Sequence, residues 1–163
     1  MIMVTGGTGM VGAHLLFALA KKNLPTLALF RTKKRQQKVE DFFKLLTPNY
    51  KKYYDLIQWK EADINDLVEL EEAITKATII YHCAAKVSYA QYHSEKLIKT
   101  NIEGTANIVN LALKYNVKKF IFVSSIASLG VESTVSFVNE EYLWNSNKLH
   151  TPYAYSKYGA ELE

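Results

Sequence analysis

Short, continuously apolar runs alternate along this chain with segments of helical spacing, and that alternation restricts the fold more than any other feature. IMVT (2–5), TLALF (26–30), DLIQW (55–59), TIIYHCAA (78–85) and KFIFVSS (119–125) read as strands. Between them, 10–22 carries Val11, Leu15, Leu16 and Leu19 at helical spacing, 33–46 reads as a helix stopping before Pro48, and 66–76 as one capped by Asp66. A long helix is expected over about 90–115, then an irregular stretch over 130–151 and a last helix from Pro152, capped by Thr151. Strands that are apolar throughout, each followed by a helix, belong to a parallel sheet covered on both faces. The expected fold is therefore α/β: a three-layer, doubly wound parallel sheet of Rossmann type forming one domain over 1–163, with no internal repeat or linker.

The first strand runs directly into VTGGTGMVG, which matches G-x-G-x-x-G through Gly7, Gly9 and Gly12 and a second spacing through Gly6, Gly9 and Gly12. A glycine turn between a strand and a helix suits a dinucleotide: it lets the backbone approach a pyrophosphate whose charge meets the helix N-terminus. No Lys-Ser/Thr pair follows, which excludes a P-loop. Residues Gly6, Gly7, Thr8, Gly9, Met10 and Gly12 are thus the first candidate cofactor contacts. At the end of the second strand an NAD site would carry an acid on the adenine ribose. This chain has Arg31 there, with Lys33, Lys34, Arg35 and Lys38 behind it. Arg31 and Lys38 suit a 2′-phosphate, so NADP is expected in preference to NAD. The same run could be a nucleic-acid patch, but no aromatic residue interleaves with its cations, and no nucleic-acid partner is expected.

Composition narrows the setting. The single cysteine, Cys83, leaves no internal disulfide framework, which points to a reducing compartment. No apolar run approaches bilayer length and no basic leader precedes the first strand, so neither a membrane partner nor a signal peptide is expected, and the cytoplasm is the default location. His82 and Cys83 are adjacent without further ligands, and no metal site is expected. His14, His93 and His150 carry no functional signal, and Ser128 reads as loop filling. In TPYAYSKYGAELE, Tyr153 and Lys157 lie at i and i+4 on one helix face, whereas Tyr155 points elsewhere.

Five signatures in order, TGGTGMVG (5–12), ADIND (62–66), HCAA (82–85), SSIASLG (124–130) and Tyr153-x-x-x-Lys157, make the chain resemble the extended short-chain dehydrogenase/reductase family. Arg31, NIEGTANIVNLA (101–112) and YSKYGAE give it most in common with the dihydroflavonol-reductase and 3β-hydroxysteroid-dehydrogenase branch. The resemblance implies that Asp63 binds the adenine amino group with Ile64 against the ring, and that Ala84 and Ala85 line the cofactor near its ribose. It implies catalytic roles for Ser125, Tyr153 and Lys157, with Tyr153 and Lys157 also touching the cofactor and Asn101 organising the site. The expected reaction is NADP-dependent reduction of a carbonyl, or oxidation of a secondary alcohol, in a small-molecule substrate. The alternatives are a nucleotide-sugar epimerase or dehydratase with tightly bound NAD, and a non-catalytic dinucleotide sensor. The resemblance also implies a homodimer through the helices at about 90–115 and 152 onward, and further strands and a substrate domain beyond Glu163. The 163 residues alone are expected to bind cofactor but turn over little or no substrate.

Overall fold

The computed structural model describes residues 1–88, 90, 94–131, 137–139 and 141–163. They divide into two compact units, one of 1–84 with 107–123 and one of 85–106 with 124–163.

The first unit is built on five parallel strands: β1 (Ile2–Thr5), β2 (Thr26–Phe30), β3 (Ile57–Glu61), β4 (Ile79–His82) and β5 (Lys119–Phe122). Their order is β3-β2-β1-β4-β5. The chain winds outward from β1 in one direction and then in the other, so the order reverses between β1 and β4, and β1 ends on the glycine turn at that switch point. Side chains alternate across the sheet, and helices pack on both of its faces. Met3, Leu27, Leu29 and Ile80 pack with Leu70 and Ile74 of α4 (Leu67–Ile74) and with Ile108 and Leu111 of α6 (Gly104–Lys114). Val4, Ala28 and Ile57 pack with Leu16 and Leu19 of α1 (Met10–Lys21) and with Val39 and Phe43 of α2 (Lys33–Leu46).

Asp66 caps α4 as expected, its carboxylate accepting from Val68 N and Glu69 N at 3.0 and 3.1 Å. Several boundaries differ from the sequence reading, α4 ending two residues early at Ile74 among them. A short helix, α3 (Tyr50–Tyr54), precedes β3; its closing bonds, Asp55 N to Lys51 O and Leu56 N to Tyr53 O, keep 55–56 in a turn and delay the strand to Ile57. Five residues show no period, and α3 is held instead by Tyr53 on Phe17 and Tyr54 on Phe43. β4 stops at His82 and β5 at Phe122, because neighbouring β1 has ended at Thr5 and the chain leaves the sheet.

The second unit holds the start of the expected long helix. Residue 90 is not helical; α5 covers Ser94–Leu97 and passes into a π-helical turn, Ile98–Glu103, before α6 begins at Gly104. The Thr105 hydroxyl donates to Asn101 O at 2.6 Å inside this turn, a side chain entering the helical ladder where it widens. The unit also contains a 3-10 turn, Ile126–Leu129, and α7 (Pro152–Glu161), which packs on both the π-turn and the 3-10 turn. No helix among the described residues is long and apolar enough to cross a membrane.

Candidate active site

Two groups of residues singled out in the sequence fall in the two units, cofactor residues mainly in the first and Ser125, Asn101, Tyr153 and Lys157 in the second.

In the first unit, Gly6 has φ +64°, and a Cβ there would lie 2.6 Å from Ala84 N and Cα, so only glycine lets β1 leave the sheet this close to the end of β4. A Cβ at Gly12 would meet Gly6 O at 2.2 Å, which presses α1 onto the turn. Gly9 N donates to Gly6 O at 2.9 Å, and Gly9 caps α1 without any side-chain bond. The first turn of α1 has no acid, and Met10 and Val11 are exposed. A bare, uncapped helix start beside a close-packed glycine turn fits a dinucleotide pyrophosphate. Thr5 braces the turn from below: its hydroxyl lies 2.6 Å from His82 Nδ1 and accepts from Ala84 N at 3.2 Å. His82 is fully buried and stacked on Phe122. It serves packing, and no group of three or more His, Cys, Asp or Glu side chains suited to a metal occurs among the described residues.

Arg31 follows β2 and lies 3.8 Å from Asp63 Oδ2, both half-exposed. Asp63 Oδ1 accepts from Asn65 N and Nδ2, each at 3.0 Å, which fixes the carboxylate. Lys33, Lys34 and Arg35 fill the first turn of α2 with no acid among them; Thr32 makes no side-chain cap bond, and Lys38 is exposed one turn on. Three cations at the positive end of a helix are unfavourable by themselves, and an anion bound beside them would relieve that. The Ile64 side chain is buried in the core with Met3 and Leu27.

In the second unit, Thr151 Oγ1 accepts from Ala154 N at 3.2 Å and Pro152 opens α7, as the sequence reading has it. Tyr153 and Lys157 are both buried on this helix, while Tyr155 is exposed. Lysine is buried this fully only with partners, and Lys157 has them. Asn101 sits in the π-turn, 1% exposed, with its carboxamide fully used. Its oxygen accepts from Lys86 N at 2.7 Å, and its nitrogen donates to Lys86 O and to Ser156 Oγ, each at 2.9 Å. Ser156 in turn donates to Tyr153 O at 2.9 Å. Ser125 caps the 3-10 turn, its hydroxyl oxygen accepting from Ala127 N at 3.2 Å. That leaves its O–H to donate outward, toward a cleft of about 650 Å³ lined in part by Ser125, Ile126, Val131, Lys148, His150 and Ala154. Ala85, expected on the cofactor, is exposed at the start of this unit.

Several contributors lay outside the sequence reading. Ser128 is not loop filling: it is 3% exposed and bonds Ser125 O at 2.7 Å and Glu161 Oε1 at 2.8 Å. Ser156 sat unremarked between Tyr153 and Lys157. Trp144 stacks on Tyr158 at 4.3 Å and lies 3.7 Å from the His150 ring, fastening the irregular segment to α7. His93 lies outside the described residues.

The chain matches the NAD dependent epimerase/dehydratase family over residues 2–162. It belongs to that family. Within the family it is 32% identical over 160 residues to a putative dihydroflavonol 4-reductase of Synechocystis sp., covering 98% of this chain and 43% of that protein. The structure of UDP-glucose 4-epimerase with UDP-glucose from Thermotoga maritima superimposes with a TM-score of 0.79 at 25% identity, over 99% of this chain and 48% of that one. The UDP-glucose 4-epimerase from Bifidobacterium longum, in complex with NAD+ and UDP, has a TM-score of 0.78 at 21% identity, over 99% and 47%, and shares the fold. The chain thus spans about half the length of these relatives. Their names include both reductases and sugar epimerases, so family membership brings an NAD(P)-binding Rossmann fold and enzymes of both kinds.

Proposed function

We infer that this chain is the cofactor-binding and proton-donating part of an NADP-dependent oxidoreductase that reduces a carbonyl or oxidises the corresponding secondary alcohol. The observation that carries this reading is the burial of Tyr153 and Lys157 one turn apart on α7, in the unit that also holds Ser125 and Asn101. The Gly6–Gly12 turn, Ala84, Asp63 and Arg31 would hold the cofactor. A bound nicotinamide would supply the hydride that reaches the carbonyl carbon. The phenol of Tyr153 gives its proton to the carbonyl oxygen, so that carbonyl, hydride and proton make the alcohol. Lys157, buried one turn on from Tyr153 in the same helix, is read as the cation that meets the charge left when the proton is given. Ser125, its oxygen already committed to Ala127 N, donates its O–H to the same oxygen as charge develops there.

Arg31 and the acid-free start of α2 support NADP over NAD, and they weigh against a sugar epimerase keeping NAD, which would have an acid in place of Arg31. The exposed Ile98 and Tyr155, on the two helices the resemblance places at a dimer interface, support a homodimer. Titration calorimetry on the chain and on Arg31→Asp tests the cofactor reading. One charge-assisted hydrogen bond, about 1.5–3 kcal/mol, predicts NADPH binding roughly ten- to hundredfold tighter than NADH, reversed or abolished by the substitution. Equal affinity in the unsubstituted chain defeats it. For the chemistry, Tyr153→Phe should abolish any ketone- or aldehyde-dependent oxidation of NADPH, while NADPH binding should weaken far less than the rate falls, since only one hydroxyl contact to the cofactor is lost.

A further inference from the structure

The last residue of α7, Glu161, is an acid at the end of a helix where the backbone dipole disfavours one. Its position makes sense through what it holds. Oε1 accepts from the hydroxyls of Ser124 and of Ser128, the latter at 2.8 Å. These two serines flank Ser125 without touching its hydroxyl function. Ser124 precedes it in the chain, and Ser128 grips its carbonyl through N–H at 2.9 Å, while the single Ser128 hydroxyl proton is shared between that carbonyl oxygen, 2.7 Å from Oγ, and Glu161 Oε1. The turn so held is a single 3-10 turn of four residues closed by Gly130 in the left-handed region, a geometry that is weak by itself. At the other end of α7, Ser156 is tied to Asn101.

We propose that Glu161 is a positioning residue: its carboxylate, on the helix that carries Tyr153 and Lys157, fixes the turn that carries Ser125. One side chain then sets how the proton donor and the oxyanion donor stand to each other. The role rests on the catalytic reading of Ser125 and Tyr153 given above, and it requires an acceptor oxygen at 161 rather than a charge. Hydroxyl-to-carboxylate bonds are the strong kind, but an amide oxygen of the same reach can accept from the same two hydroxyls.

The experiment compares Glu161→Ala and Glu161→Gln with the unsubstituted sequence in two measurements, the first on the 163-residue chain and the second on the longer chain, with its substrate domain, that the resemblance implies. The first is amide hydrogen exchange at Ala127, Ser128 and Gly130, whose N–H groups close the turn. Exchange there should rise at least about tenfold in the alanine variant. It should return close to the original in the glutamine variant and stay unchanged in β1 and β4 throughout. The second is single-turnover hydride transfer from NADPH to the carbonyl carbon of a ketone or aldehyde that the unsubstituted protein reduces, together with NADPH affinity. The alanine variant should transfer on the order of a hundredfold more slowly, the cost of a displacement of about 1 Å, with affinity unchanged and the glutamine variant restored. Unchanged exchange in Glu161→Ala, or exchange equally raised in both variants, overturns the positioning role and leaves the reading of the site untouched. Exchange that responds as expected while hydride transfer does not follow it overturns the reading of Ser125, and the positioning role with it.

Discussion

The two units of this chain are held together by different forces. In the first, the buried residues are apolar almost throughout: two clusters on the two faces of the sheet, with Thr5, Thr26 and His82 as its buried polar side chains. In the second, Asn101, Thr105, Ser128, Ser156 and Lys157 are buried beside Leu97, Tyr153, Ala154 and Ala160. Apolar burial is non-directional and tolerates small errors of placement. A buried polar network is the opposite, strong when every partner is met and costly when one is missing. The contrast matches what the proposed function would ask of each unit. A sheet need only present its strand ends to a dinucleotide, whereas a proton donor and a hydrogen-bond donor must be fixed in angle as well as distance.

The contrast breaks most visibly through Phe43, which is fully buried and ringed by Phe17, Phe42 and Tyr54. Phe43→Ala should remove about 3–5 kcal/mol, transfer and cavity terms together, which is a large part of the about 5–15 kcal/mol a domain has. Urea unfolding would show a strongly lowered midpoint, and hydrogen exchange should rise across β1, β2 and β4. A loss below about 1 kcal/mol would mean that the sheet does not depend on this apolar face.

A smaller and more local effect is expected of Asn101→Ala. It strands the N–H and C=O of Lys86 and takes one donor from the Ser156 oxygen, whose own bond to Tyr153 O remains, at about 1–3 kcal/mol for polar groups left unpaired. Exchange should accelerate in α5, the π-turn and α7 while the amides of β1 and β4 keep their protection. Acceleration spread evenly over both units would show that the polar network is no separate support, and the comparison drawn between the units would fall.

The same contrast explains what could be read from the residues alone. The first unit was legible because continuous apolar strands and 3.6-residue spacing reflect burial, which is why α2 was placed at 33–46 with its observed ends. Its misses have local causes: α3 is too short to show a period, and β3 starts late because α3 must first close. In the second unit the resemblance supplied Ser125, Asn101, Tyr153 and Lys157, but periodicity could not show what holds them. Ser128, Ser156 and Glu161 act through hydrogen bonds that join distant stretches of chain, Ser128 and Glu161 lying 33 positions apart and Asn101 and Ser156 55. Serines of this kind look like filler in a sequence. The π-turn left no trace either: the Thr105 hydroxyl bonding back to Asn101 O accompanies it, and that bond has no signature in the sequence.

Polar contacts in the first unit sharpen the comparison from its weakest side, because they lie on its surface. Glu71 of α4 accepts from Lys114 of α6 and from the Tyr115 hydroxyl, the latter at 2.6 Å. The Lys114 ammonium, and after it the Tyr115 hydroxyl, hold the Glu71 carboxyl below its ordinary value. A carboxyl lowered in the folded state stabilises above its unfolded value, about pH 4.3, and that contribution is lost as pH falls through the lowered folded value. Glu71→Gln should therefore reduce the urea midpoint slightly at pH 7, and the difference from the unsubstituted chain should shrink steadily as the pH is taken from 5 toward 2. About 1 M salt should shrink it at pH 7 as well, since the Debye length there is about 3 Å and exposed pairs are screened. The exchange pattern of α7 should not move under any of these conditions. A difference as large as that of Asn101→Ala, or one indifferent to pH and salt, would mean that this surface cluster supports the fold as a buried network does, and that burial is not what separates the two units.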